Sequence, residues 1–228
     1  MGVYQLEDVP KVCLLPRLTL TDLIAVNGLV RAVCERTDDV MLVAKRDHVK
    51  SVRCLYGDIR GLRFKFVESW AGHGAVADEM QARGYVLTPL PCTRESCPYT
   101  LLGLPSALGP QKFLLTRNLA AETALYDAVV AAVGPVYVVR HHDPDRPIRS
   151  HLIPEGYPVV DVRDPRFRTD SIFDWIRVID HAVQLHAVDS CFLLMADYLN
   201  LRARKFHHAY ASPSVGTARF NDAITIWG

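Results

Sequence analysis

The chain has 228 residues and is 50% apolar, enough to bury a substantial core in one large domain or two compact ones. Lys and Arg total 26 against 25 Asp and Glu, so no global charge excess draws it toward nucleic acid, anionic membrane or acidic ligands, and any partner has to be recognised locally. No apolar run approaches the roughly 20 residues that cross a bilayer. The opening Met1–Asp8 lacks the basic region and apolar stretch of a secretion signal, which makes the cytoplasm the expected location.

In chain order, Lys11–Leu15 is an apolar run closed by Pro16 and reads as a strand. Asp22–Arg36 repeats Leu23, Val26, Val30 and Val33 at helical spacing, with Thr21 or Asp22 as the expected N-cap. Val40–Ala44 is a second buried strand and completes a βαβ unit. A short helix over His48–Tyr56, a strand over Leu62–Val67, a helix over Ala75–Arg83 stopped by Gly84, and a strand over Tyr85–Leu87 follow. This alternation predicts a parallel sheet with helices on both faces. Pro89–Pro110, dense in proline, breaks the pattern, and the domain boundary is expected near residue 115.

The second half opens with a helix over Leu119–Val133 ended by Gly134-Pro135, then a strand over Val136–Val139 that Arg140-His141-His142 follows. Val159–Val162 is another strand. Ser171–His181 is a helix whose Ile172, Trp175, Ile176 and Ile179 share a face, which makes Phe173 and Trp175 core residues. Leu185–Val188 is the next strand, and Asp189-Ser190 caps a helix to about Leu199. The fold class predicted is α/β, with residues 1–115 and 116–228 each forming a Rossmann-like domain around a parallel sheet.

Six cysteines (Cys13, Cys34, Cys54, Cys92, Cys97, Cys191) are scattered through apolar segments and read as reduced thiols. Cys92 and Cys97 are spaced more widely than a zinc knuckle and no second pair follows. The doublets His141-His142 and His207-His208 point in divergent directions on any regular element. No metal site is therefore expected, and His186 reads as a buried, hydrogen-bonded residue.

Ligands of open α/β sheets gather at the carboxyl ends of the strands, where helix N-termini present unpaired N–H groups suited to phosphate. Two junctions stand out: Leu18–Asp22, and Val188-Asp189-Ser190-Cys191. Sugar transfer with inversion needs a base for the acceptor proton and a positive environment for the departing phosphate. Asp22 is the candidate base, and Arg140 and Lys205 are candidate diphosphate holders. The competing reading makes Asp22 and Asp189 helix caps, and Arg140 and Lys205 solvated cations.

The stretch Leu20-Thr21-Asp22-Leu23-Ile24-Ala25-Val26-Asn27-Gly28-Leu29-Val30-Arg31 resembles a glycosyltransferase opening: Leu-Gly-Asp, apolar residues, Asn-Gly, an apolar pair, Arg. That opening is similar to the one in GT-B enzymes related to the heptosyltransferases. Ile172-Phe173-Asp174-Trp175 through Val178-Ile179, His181-Ala182, Leu185-His186 and Asp189-Ser190-Cys191-Phe192 is similar to their donor-side pattern. The resemblance implies two sheets facing a cleft and an inverting transfer from a nucleotide-diphosphate sugar as co-substrate, with no cofactor or metal. It assigns Asp22 as catalytic base and places Asp189 and Ser190 near the donor; together with the residue reading above, the expected donor site is Arg140, Asp189, Ser190 and Lys205, and Thr21 and Asn27 are the expected acceptor-side residues. Thr21 stands where the family has glycine, and a Cβ at such a turn can narrow the site. Two alternatives remain open: a catalytically impaired nucleotide-sugar-binding protein, and a nucleotide-sugar epimerase. A dinucleotide dehydrogenase is disfavoured, because no strand runs into Gly-x-Gly-x-x-Gly. The basic stretch Lys45–Lys65 reads first as a solvated helix face, and second as a receiving surface for an anionic acceptor, lipid-linked, phosphorylated or nucleic acid.

Overall fold

The computed structural model of the protein describes residues 9–17, 19–69, 71–90, 98–145, 147–211 and 222–227. The Cys92–Cys97 pair lies outside them. The chain divides into two compact units, Met1–Thr116 and Arg117–Gly228.

Unit 1 contains β1 (Lys11–Pro16), α1 (Leu20–Ala25), α2 (Asn27–Cys34), β2 (Asp39–Lys45), α3 (Val49–Tyr56), β3 (Leu62–Val67), α4 (Ala71–Ala82) and β4 (Val86–Leu90), with the one-turn helices α5 (Pro98–Leu101) and α6 (Leu108–Gln111) after them. Its strands run parallel in the order β3-β2-β1-β4. β1 and β2 read as continuous apolar runs because both faces are covered. Cys13, Leu15, Met41 and Val43 meet Val76 and Met80 of α4 on one face. The alternate residues Val12, Leu14, Val40 and Leu42 are equally buried, and α2 and α3 pack on β2.

The single helix expected from Asp22 is two helices meeting at Val26, and its N-cap is Thr19, whose hydroxyl accepts the Asp22 N–H at 3.1 Å. Two residues explain the break. Asn27 Nδ2 donates to the Leu55 carbonyl at 2.9 Å and its Oδ1 accepts the Leu114 N–H at 3.1 Å, which ties the start of α2 to α3 and to the chain beyond α6. Gly28 lets α6 approach: a Cβ here would lie 2.7 Å from the Gly109 carbonyl oxygen and closer still to that of Leu108.

Unit 2 contains α7 (Leu119–Val133), β5 (Val138–His141), β6 (Val159–Asp161), α8 (Ile176–His181), β7 (Gln184–Ala187), α9 (Cys191–Tyr198), β8 (Arg204–His208) and β9 (Ile224–Ile226). Its strands are also parallel, in the order β6-β5-β7-β8-β9. β5 starts two residues later than the sequence suggests, since Gly134, at φ 88°, and the residues after it turn the chain out of α7. Arg140 and His141 are thereby strand residues. Phe173 and Trp175 are core, at 1% and 2% exposure, in a 3-10 turn that Ser171 caps ahead of α8. The Tyr137 hydroxyl donates to the Val178 carbonyl at 2.9 Å, and Phe192 of α9 meets His141, so α8 and α9 cover the same sheet face. Val138 on the opposite face packs with Ile148, Ile153, Val188 and Tyr210 from the connections. Among the described residues, no helix is long and apolar enough to cross a membrane.

Gly28→Ala forces a methyl against two backbone carbonyls, which cannot rotate away as a flexible side chain would. It is expected to destabilise the protein by about 1–3 kcal/mol, read as a lower urea midpoint; an unchanged midpoint would show that α6 can shift freely.

Candidate functional site

In a parallel sheet the ligand crevice opens beyond the carboxyl ends of the strands, where successive connections leave in opposite directions. That switch point falls between β1 and β4 in unit 1, and between β5 and β7 in unit 2.

In unit 1, Thr19 both accepts the Asp22 N–H and donates its hydroxyl to Asp22 Oδ2 at 2.5 Å, which orients the carboxylate at the start of α1. Asp22 is 7% exposed. Thr21 is half-buried inside α1, and Asn200 is the one non-glycine residue with positive φ among the described residues. The Thr21 Cβ therefore imposes no backbone strain. Asn27 does not belong to an acceptor surface: it is 0% exposed, and its amide is consumed by Leu55, Leu114 and Arg31 Nε at 3.2 Å. A residue that sequence reasoning missed is His73, in the first turn of α4. It hydrogen-bonds the Pro16 carbonyl at the end of β1, and burial lowers its pKa against that bond.

In unit 2, the Val188 N–H donates to the His141 carbonyl at 3.2 Å, joining the ends of β7 and β5. Arg140 is not a free cation. Its Nε and Nη2 meet Asp161 Oδ2 at 3.0 and 2.9 Å, and His142 Nδ1 lies 3.3 Å from the same oxygen. Asp161, at the end of β6 on the side of β5 away from β7, is a second group the sequence reading missed, and it engages the Arg140 guanidinium there. Asp189 is half-buried and faces His207 electrostatically. Ser190 is the N-cap residue of α9, yet its hydroxyl makes no cap bond; it is 5% exposed and Oγ has no protein partner. The Cys191 thiol is pushed up to about 12 by burial, partly opposed by the N–H groups of Cys191 and Phe192 against which it lies.

Lys205 has to be withdrawn from the diphosphate site. It is 2% exposed, its Nζ donates to the Leu201 carbonyl at 3.0 Å, and its ion-pair partner is Asp222 at 3.4 Å. His186 is the buried, bonded residue expected: Nε2 meets Gln184 Oε1 at 2.7 Å and Nδ1 meets His208 Nε2 at 2.9 Å. Among the described residues, no three His, Cys, Asp or Glu side chains are grouped to hold a metal. In the basic stretch, Lys45, Arg46, Arg63 and Lys65 pair with Asp47, Glu68, Asp39 and Glu79, which removes much of its positive surface. A depression of about 200 Å³ lined by Arg31, Cys34, Glu35, Asp58 and Ile59 lies where α2 and α3 end, at the amino edge of the sheet and away from the switch point.

No protein-family model matches the chain, and no curated protein matches it. Its fold does match a solved structure, a family 9 glycosyl transferase from Veillonella parvula DSM 2008, at TM-score 0.55 and 10% sequence identity, over 99% of this chain and 88% of that one. The protein thus has the two-domain, Rossmann-like α/β fold of the GT-B glycosyltransferases.

The buried histidines set a pH dependence. Burial pushes His141, His186 and His208 down to about 4 from an ordinary 6.5. In that window the unfolded chain binds more protons, so stability is full above about pH 6.5 and falls as the pH drops toward 4. The melting temperature is expected to fall by several degrees between pH 7.5 and 5, a change that circular dichroism reads; a flat profile would contradict the burial of these rings. Asn27→Ala leaves the Leu114 N–H and Arg31 Nε without their acceptor and is expected to cost about 1–3 kcal/mol. Its urea midpoint should fall accordingly.

Proposed function

We propose that the protein is an inverting, metal-independent glycosyltransferase that moves a sugar from a nucleotide-diphosphate donor to an acceptor hydroxyl. Unit 2 holds the donor through Asp189, Ser190 and Arg140, and unit 1 supplies Asp22 as the base, with Thr21 beside it on the acceptor side. The reading is supported by one observation above the others: in a chain whose fold matches a family 9 glycosyl transferase along 99% of its length, a carboxylate and an unpartnered buried hydroxyl stand at the two switch points.

In this reaction the acceptor hydroxyl gives its proton to Asp22 as its oxygen bonds the anomeric carbon. The bond from that carbon to the phosphate oxygen breaks, and the nucleoside diphosphate departs with the electron pair. Arg140 and the first N–H groups of α9 are the positive groups that stabilise the leaving charge. Asp161 on β6 fixes the Arg140 guanidinium by an ion pair, and Thr19 keeps the Asp22 carboxylate in one orientation. The proposed compartment is the cytoplasm, and among the described residues Cys13, Cys34, Cys54 and Cys191 are in no disulfide.

A binding protein without turnover is the second reading. It draws on the 2.5 Å bond from Thr19 and the 7% exposure of Asp22, which suit a carboxylate whose work is to close the first turn of α1.

A thermal-shift panel of nucleoside diphosphates and their sugars, with magnesium and with EDTA, separates these readings. The proposal expects a shift of several degrees at millimolar ligand, equal in both media and lost in Asp189→Ala, because selective binding stabilises the folded state. With the donor so found, Asp22→Asn should keep the shift and lose about 10²- to 10⁴-fold in transfer rate. No shift with any nucleotide would refute the donor site. A donor shift without transfer or hydrolysis by the wild type would establish the binding protein instead.

A further inference from the structure

The described residues contain several polar groups that the proposed chemistry leaves unused, and most have internal partners. Lys205 has Leu201 and Asp222, and His186 has Gln184 and His208. His141 differs. Its ring lies at the carboxyl end of β5, 4.8 Å from the ring of Phe192 in the first turn of α9, and its Nδ1 is buried with no protein partner. The Ser190 hydroxyl, at the N-cap of that same helix, is another such atom. Buried polar atoms are nearly always satisfied, so two orphans on adjoining connections call for a ligand.

We infer that His141 is a direct ligand of the donor diphosphate and that it takes up a proton from solvent when that anion binds. The inference rests on reading unit 2 as the nucleotide-sugar site. Three physical points carry it. The position is the switch point itself, joined to the Asp189-Ser190 connection through the Val188 N–H bond to the His141 carbonyl. A protonated imidazole offers donors at both ring nitrogens, whereas the neutral ring offers one, so a phosphate oxygen selects the charged form. In the free protein burial holds the ring neutral, with a pKa of about 4.

Charged groups of both signs surround the ring. Asp161 and Asp143 favour the imidazolium and His142 and Arg163 oppose it, while Asp161 is already engaged by Arg140 and His142. The adjoining strand ends bring Asp189 and His207, which face each other. A diphosphate brings two negative charges beside the ring and supplies a counter-charge that favours its protonated form.

Isothermal titration of the full chain with UDP-glucose, ADP-glucose and GDP-mannose in turn, near pH 6 and pH 8 and in two buffers of different ionisation heat, tests the inference. The diester diphosphates of these probes do not titrate in that range, so any linked proton belongs to the protein. If binding returns His141 to its ordinary value of 6.5, the wild type takes up about three-quarters of a proton near pH 6 and binds about fourfold tighter than near pH 8. His141→Gln, which keeps a neutral polar group, should bind with a flat pH profile and no proton uptake. Proton uptake is read on the wild type, so the measurement stands whether or not the variant folds. Binding without proton uptake, or uptake that persists in His141→Gln, overturns the role of His141 and leaves the donor site in place. If none of the probes binds at either pH, the inference and the donor reading fall together.

Discussion

Every strand in both sheets runs parallel to its neighbours, and that constraint decides where polar groups can gather. A parallel strand has to be followed by a crossover, so each strand leaves the sheet at its carboxyl edge and helix N-termini collect there. The same geometry buries β1, β2, β5 and β7 from both sides, which leaves the sheet body apolar and pushes chemistry to the rim. Asp22 and Thr19 stand on the rim of unit 1, and Arg140, His141, Asp189 and Ser190 on the rim of unit 2. The depression beside Arg31 lies at the opposite rim, where helices end with their carbonyls and repel an anion.

Within unit 2, partners separate structural polar groups from available ones. Lys205 and the His186–His208 pair are as deeply buried as the aliphatic core, yet each finds its bond inside the protein. Ser190 has an intramolecular role open to it, since an N-cap serine ordinarily accepts an N–H from the first turn of its helix. It does not take that role. The Cys191 thiol lies against two of those N–H groups instead, so an arriving phosphate would displace a weak, neutral acceptor.

The sequence made the alternation of strands and helices legible, because covered parallel strands are continuous apolar runs with glycine stops such as Gly84 and Gly134, both at positive φ. β8 escaped notice for the converse reason: Arg-Lys-Phe-His-His looks like a polar loop, and its burial depends on partners supplied by Leu201, Asp222 and His186, far away in sequence or on other elements. The same blindness misplaced Lys205, whose burial no local pattern announces. Asp161 and His73 were equally hidden, since each acquires its meaning from a neighbouring strand end. Asp22 was legible as a helix-start carboxylate, but whether it caps or catalyses is a matter of what lies in front of it, which one chain's sequence does not encode.

The motif that carried the family resemblance explains why fold was easier to read than activity. In Asn27-Gly28 and Arg31 each residue serves packing: the amide joins α2 to Leu55 and Leu114, the missing Cβ admits α6, and the guanidinium closes on Asp58 and the carbonyls of Leu55 and Leu114. Losing such residues costs the architecture, which is why they speak to fold before they speak to activity. Thr21 changes by the opposite logic. With Thr19 as the cap, position 21 lies within the first turn of ordinary helix, where a side chain carries no backbone penalty. The glycine of the resembling enzymes is therefore dispensable for this fold, and its replacement alters only the side chain that α1 carries there.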